Sequence, residues 1–320
     1  MRNAFADALI RAARDDSRVV LLTGDHGYAL FDKFRQACPG QYLNAGVAEQ
    51  NMVGVAAGLA KGGLRPIVYG LSAFVPIRVL EQIKLDVCYE SLPVIFIGDG
   101  AGVVYSALGT SHQSTEDIAA LRALPNISIL SPADRWEMAA CMELALTSLD
   151  PVYLRMGKAD LGDIHSDALS MEWGKPITLC EGDGPLAWIA TGSMVGSALR
   201  LAKCWPESAV YSAPCLKPLD ADAVTAVCNG HRAIIVMEEH SNFGGLGAAI
   251  CEITAAHAPA WICRIGIQDR FSRSCGSYTH LLTEHGLDDR SILTQIDRFL
   301  AALPDGESIR RTQARDLVLA

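Results

Sequence analysis

Residues 44–60 read NAGVAEQNMVGVAAGLA, and Glu49 is out of character in that run. Its surroundings are mostly small or apolar, the composition of a helix pressed against something. A carboxylate there stands in a poorly hydrated place, where an unpaired charge is costly. A first-turn acid is ordinary at a helix start, where the dipole favours it. That accounts for a glutamate near the start but not for its apolar neighbours. Gly54, Ala57 and Gly58 are three and four residues apart and share one helical face. A face so bare lets another backbone approach closely. Two readings of it are open: tight helix–sheet packing inside the domain, or contact with something outside it.

Outward from this helix the pattern alternates. Strand-like runs stand at VVLL (19–22), PIVYG (66–70), PVIFIG (93–98), ISIL (127–130) and PVYLR (151–155). Helical periodicity falls between them at 3–14, 47–61, 73–88, 117–124 and 134–148. Short, nearly all-apolar strands separated by helices predict a parallel sheet covered on both faces. The stretch 161–184 is rich in Gly, Asp and Ser without helical period and reads as a linker. A second alternating set follows, with LAWIAT (186–191), SAVYS (208–212), RAIIVM (232–237) and WICRI (261–265). The expected fold is α/β with two domains, each a mostly parallel sheet flanked by helices. Their expected spans are 1–160 and 185–304, with a polar tail at 305–320.

The 320 residues are ample for two domains. Half are hydrophobic and mean hydropathy is +0.21, which fits a chain that buries surface against a partner. With a formal charge of −9 and no block of Lys or Arg, binding of nucleic acid through its phosphates is not expected. The ten Cys have no C-x-x-C pair and read as reduced, mostly buried thiols. No apolar run approaches the ~18 residues of a membrane span. The opening MRNAFADALIRAARDDSR carries Asp7, Asp15 and Asp16 and runs straight into a strand, so it reads as a structural helix and not a targeting presequence. The expected compartment is the cytoplasm.

The run around Glu49 resembles the pyrimidine-binding domain of transketolases and deoxyxylulose-phosphate synthases. LSAFVPIRVLEQI (71–83), TSHQSTEDIAALRALPN (110–126), PVYLRMGK (151–158) and EEHSNFGGLG (238–247) resemble the same family in the same order. The likeness covers nearly the whole chain, and is strongest to the small subunit of split, two-chain transketolases.

The resemblance implies that Glu49 hydrogen-bonds the aminopyrimidine ring of thiamine diphosphate. There it favours the tautomer that deprotonates the thiazolium carbon, work suited to a carboxyl kept from water. Phe74 would stack on the pyrimidine, with Arg78 and Gln82 lining the cofactor site one and two turns on. A surface ion pair of Arg78 with Glu81 or Asp86 is the other reading. His112 would face the reacting carbon, where imidazole suits proton transfer near neutral pH. Arg155 would grip a substrate phosphate through its planar guanidinium, and Arg2 would contribute to the substrate pocket. His26, by its place after the first strand, where open parallel sheets put ligands, is a pocket residue on that ground. Asp25 follows the first strand and is a further pocket residue.

The chain departs from the family where SALGTSHQ places Leu108 at the position of an acidic residue that reads a donor hydroxyl. Gly98-Asp99-Gly100 followed by Asn126 mimics the family's Mg²⁺–diphosphate motif. His112 lies between them, in the order expected of a pyrimidine domain, so the match reads as chance. A second G-D-G ending the linker stretch has no strand before it. EEHSNFGGLGAAICE has a Gly-rich turn entering a helix, a shape that can hold anions, but packing is the favoured role.

The resemblance thus implies half an active site, with no metal ligands of its own. A diphosphate-binding N-terminal subunit would hold Mg²⁺ in an α2β2 assembly acting on sugars, with transfer of a two-carbon ketol unit from a ketose to an aldehyde. The alternatives are a carboligase using another donor such as pyruvate or an unusual sugar acceptor, a 2-oxoacid dehydrogenase β subunit, and a non-catalytic assembly subunit.

Overall fold

The computed structural model describes residues 1–27, 29–158, 160–304, 306 and 309. The tail expected over 305–320 therefore lies outside the described residues apart from Gly306 and Ile309. The first half runs α1 (Arg2–Asp15), β1 (Val19–Thr23), α2 (Asp32–Ala37), β2 (Tyr42–Asn44), α3 (Glu49–Lys61), β3 (Arg65–Leu71), α4 (Leu80–Gln82), β4 (Ile95–Asp99), α5 (Asp117–Arg122), β5 (Ser128–Leu130), α6 (Arg135–Thr147) and β6 (Val152–Met156). The second runs β7 (Ile177–Cys180), β8 (Leu186–Ala190), α7 (Val195–Ala202), β9 (Ala209–Ser212), β10 (Cys215–Lys217), α8 (Ala221–Gly230), β11 (Ala233–Ser241), α9 (Leu246–His257), β12 (Trp261–Ile267), α10 (Tyr278–His285) and α11 (Asp289–Ala301).

Seven strands form the first sheet in the order β10-β5-β6-β4-β3-β1-β2, parallel except at β10. β4 and β6 are buried at every position, as their apolar runs require. The second sheet, β12-β11-β8-β9-β7, is parallel except at β7. One apolar cluster continues from Met52, Val68 and Phe96 in the first half to Ile234, Val236 and Ile250 in the second, so the two sheets share a dry core.

Three features differ from the sequence expectation. β7 lies inside the stretch read as linker; its ITLC alternates half-buried and exposed residues, as an antiparallel edge strand does. β10 belongs by sequence to the second half yet pairs with β5 of the first. The helix expected over 73–88 breaks into a 3₁₀ turn (Ile77–Val79), α4 and a π turn (Ile83–Cys88). Pro76 cannot sit inside a helix, so helical structure starts only after it.

α3 buries Met52, Val53, Ala56, Ala57 and Ala60 against the sheet. Gly54 and Gly58 are exposed, and a Cβ added at either would meet nothing within 4 Å. Packing inside this chain therefore does not account for these two glycines. Ala57 is buried and leaves their face.

Candidate active site

β1, β3 and β4 all end at the carboxyl edge of the first sheet, and the strand order reverses between β1 and β3. Open parallel sheets bind ligands at such an edge. Glu49 opens α3 and is only 6% exposed. Its Oε2 accepts a bond from Arg78 Nη1 at 3.0 Å. The Arg78 guanidinium also lies 4.0 Å from the centroid of the Phe74 ring. The far side of the group is His112, whose ring meets Phe74 edge-on with centroids 5.3 Å apart. Ser111 Oγ is 3.0 Å from His112 Nδ1. Glu49, Phe74, Arg78 and His112 thus form one continuous line of contacts across three loops and helix starts. Gln82 ends α4, partly buried, one turn beyond Arg78.

A second group sits at the same edge. Asp99, buried at the end of β4, accepts from Tyr69 Oη at 2.7 Å and from Tyr105 Oη at 3.4 Å, and it pairs with Arg2. Burial, reinforced by the Asp99 charge, pushes the Tyr105 phenol up to about 12. Hence both phenols stay protonated donors. Arg2, Asp99, Tyr105, Lys158 and Asp160 line a cavity of about 300 Å³. His26 bonds the Tyr69 carbonyl through Nε2 at 3.0 Å, which places it behind this group.

Arg155 departs from expectation. It is 2% exposed; its Nε donates to Asp117 and its Nη2 to the Ser114 and Glu239 carbonyls. The guanidinium is engaged by protein acceptors, and Lys158, three residues on, lines the cavity together with Arg2. Lys158, Tyr69 and Tyr105 were not singled out from sequence. Only the lone aromatic in GVVYSAL and the basic end of LRMGK hinted at them.

The Gly98-Asp99-Gly100 and Asn126 match also comes apart. Asp99 ends β4 at the carboxyl edge, whereas Asn126 precedes β5 and gives its side-chain amide to the Cys88 carbonyl. The register Ile95–Val152–Ser128 puts the two at opposite edges of the sheet. Six residues of strand rise separate them, roughly 20 Å. Among the described residues no group of three or more His, Cys, Asp or Glu could hold a metal ion.

Two family descriptions fit this chain: residues 1–163 match the transketolase pyrimidine-binding domain and residues 177–292 the transketolase C-terminal domain. The chain belongs to the transketolase family. One of the subunits of apulose-4-phosphate transketolase from Phocaeicola vulgatus is 35% identical over 297 residues, 91% of this chain and 94% of that one. A 6-deoxy-6-sulfo-D-fructose transketolase subunit from a Clostridium species is 33% identical over 92% of both chains. The solved structure of a split-gene transketolase, an inactive β4 tetramer, superposes with a TM-score of 0.86 at 30% identity, covering 97% of this chain and 99% of that one. This transketolase-family chain therefore matches separate subunits over more than nine-tenths of both lengths. No described helix is long and apolar enough to cross a membrane.

Proposed function

We propose that the chain is the small catalytic subunit of a two-component transketolase, moving a two-carbon ketol unit from a ketose to an aldehyde. The observation that carries this reading is the slot between Glu49 and Phe74. Arg78 fills it with a flat group that stacks on the ring and donates to the carboxylate. An aminopyrimidine is likewise flat, and its ring nitrogen would share a proton with the carboxyl, so the slot fits that end of thiamine diphosphate. When bound, thiamine diphosphate supplies the carbon nucleophile that cleaves the ketose.

The protein's own residues do the rest. Glu49, 6% exposed, would hydrogen-bond a ring nitrogen of the bound cofactor and hold a proton there away from water. Phe74 holds the ring plane. His112, in edge contact with Phe74, bonds substrate oxygens or passes a proton at the reacting carbon. Arg2, Lys158 and Tyr105 receive the far end of the sugar.

Diphosphate and Mg²⁺ belong, in this reading, to an N-terminal partner subunit in an α2β2 assembly in the cytoplasm. The exposed glycine face of α3 and Val47, 75% exposed two residues before Glu49, support a partner surface beside the cofactor. The test is calorimetry of thiamine diphosphate with Mg²⁺ against the isolated chain and against the assembled complex. Tight binding in the complex alone is expected. Glu49→Gln in the complex is expected to lower kcat on the order of 10²–10⁴-fold with the assembly intact. Unchanged activity would return the chain to a non-catalytic assembly role.

A further inference from the structure

The loop that carries His112 belongs to the first sheet by sequence but is held from the second. Its neck is closed where Gly102 and Ser114 exchange backbone bonds of 2.8 and 2.9 Å. Between them, besides Tyr105 on Asp99 and His112 on Phe74, the contacts come from the second half of the chain. Glu239 Oε1 accepts the Val103 N–H at 2.7 Å, while its Oε2 takes the hydroxyls of Ser193 and Tyr278. Gly276 N–H donates to the Ser106 carbonyl at 3.3 Å. Ser272 Oγ donates to Gln113 Oε1 at 2.7 Å. Ser272 Oγ also lies 2.8 Å from His285 Nε2, which links the Gln113 side chain to α10. Gln113 is the residue next to His112.

Packing alone does not explain Glu239. An apolar side chain would fill the same space without the cost of burying a carboxylate. The chain also gives up a side chain to let this carboxylate in. Gly102 stands at φ +73°, and a Cβ there would lie 2.3 Å from Glu239 Oε1. The arrangement is built to bring one carboxylate oxygen onto one loop amide.

We propose that Glu239 and Ser272 are positioning residues for ketol transfer: from the second domain they fix the 102–114 loop so that His112 stays in register with Phe74. This rests on the reading of His112 given above. A shift of the loop by 1 Å is enough to cost on the order of 10²-fold in rate, although neither residue touches substrate.

The experiment uses the assembled complex with Ser272→Ala, Glu239→Leu (which fills the space but accepts no bond) and the conservative Ser272→Thr. Amide hydrogen exchange over 103–113 is expected to quicken by up to about tenfold in the first two, the worth of one lost bond, with β4 and β6 unchanged. With xylulose 5-phosphate and ribose 5-phosphate as probes, kcat is expected to fall at least about tenfold, with thiamine diphosphate affinity unchanged. Ser272→Thr is expected to restore both. Unaltered loop exchange, or faster exchange with wild-type kcat, overturns the proposal. A wild-type complex that transfers no ketol unit from any ketose overturns the functional reading instead. The exchange measurement then still decides whether the second domain holds the loop.

Discussion

Arg155 Nε donates to Asp117 Oδ2 across 2.8 Å, and neither side chain reaches solvent. The same carboxylate oxygen accepts from Tyr153 Oη at 2.7 Å, and Arg155 Nη2 continues to the Glu239 carbonyl at 2.9 Å. The pair therefore ties β6 and α5 of the first sheet to β11 of the second.

Arg155→Met tests this structural role. Removing the guanidinium leaves Asp117 buried without its cation, which costs about 3–5 kcal/mol. The urea midpoint of the variant is expected to fall accordingly. A phosphate-gripping arginine would behave otherwise: KM for a sugar phosphate would rise while the urea midpoint stayed put.

Arg78 lies between Glu49 and Phe74, the slot that the proposed function assigns to the pyrimidine. Its pair with Glu49 is half-exposed on the arginine side, and such pairs contribute about 0–1 kcal/mol. Entry of the cofactor has to break it. Arg78→Ala is therefore expected to tighten thiamine diphosphate binding to the complex by up to about fivefold. Weaker binding on calorimetry would instead make Arg78 a group that holds the cofactor.

Glu284 governs how the segment above the His112 loop responds to acid. It accepts the Arg273 N–H at 2.6 Å and the Ser274 hydroxyl at 2.7 Å. These bonds, the backbone one foremost, hold its carboxyl down at about 2. The folded value lies below the unfolded one, so the stabilisation is complete above the usual glutamate range near pH 4.3. It drains away as pH falls through about 2. Urea titrations between pH 6 and about 3 should show stability falling with acid in the wild type, with a shallower fall in Glu284→Gln. Parallel slopes would remove Glu284 from the account.

The legible parts of the fold were those whose cause is local. β3, β4 and β6 are mostly apolar runs, interrupted only by Arg65, Asp99 and Arg155, and Glu49 betrayed itself as a carboxylate among small residues. β2 and β10 are three residues each, YLN and CLK, too short to show a period. β10 joins β5 from 85 positions away, since Cys215 pairs with Leu130. Arg155's ion pair was not legible, because a buried arginine and a phosphate-binding one look alike until Asp117 is seen beside it. Ser272 sits in QDRFSRSCGSY, which reads as an ordinary polar loop; its partner Gln113 is 159 residues earlier.

Leu108 bears on donor choice. It lies on the His112 loop, 55% exposed, with its N–H on the Tyr105 carbonyl at 3.0 Å. An exposed side chain that packs on little tolerates replacement, so Leu108→Asp is expected to change stability by no more than about 0.5 kcal/mol. Its chemical effect is larger, because a leucine accepts no hydrogen bond and a carboxylate accepts strong ones. If the natural donor lacks a hydroxyl that the loop must read, the wild type should turn over xylulose 5-phosphate slowly. Leu108→Asp should then raise kcat/KM for that donor by about 10–100-fold, the worth of a bond to a charged group. Equal kcat/KM in the two proteins would show that the side chain at 108 does not meet the donor, and that selection falls to the cavity lined by Arg2, Tyr105 and Lys158.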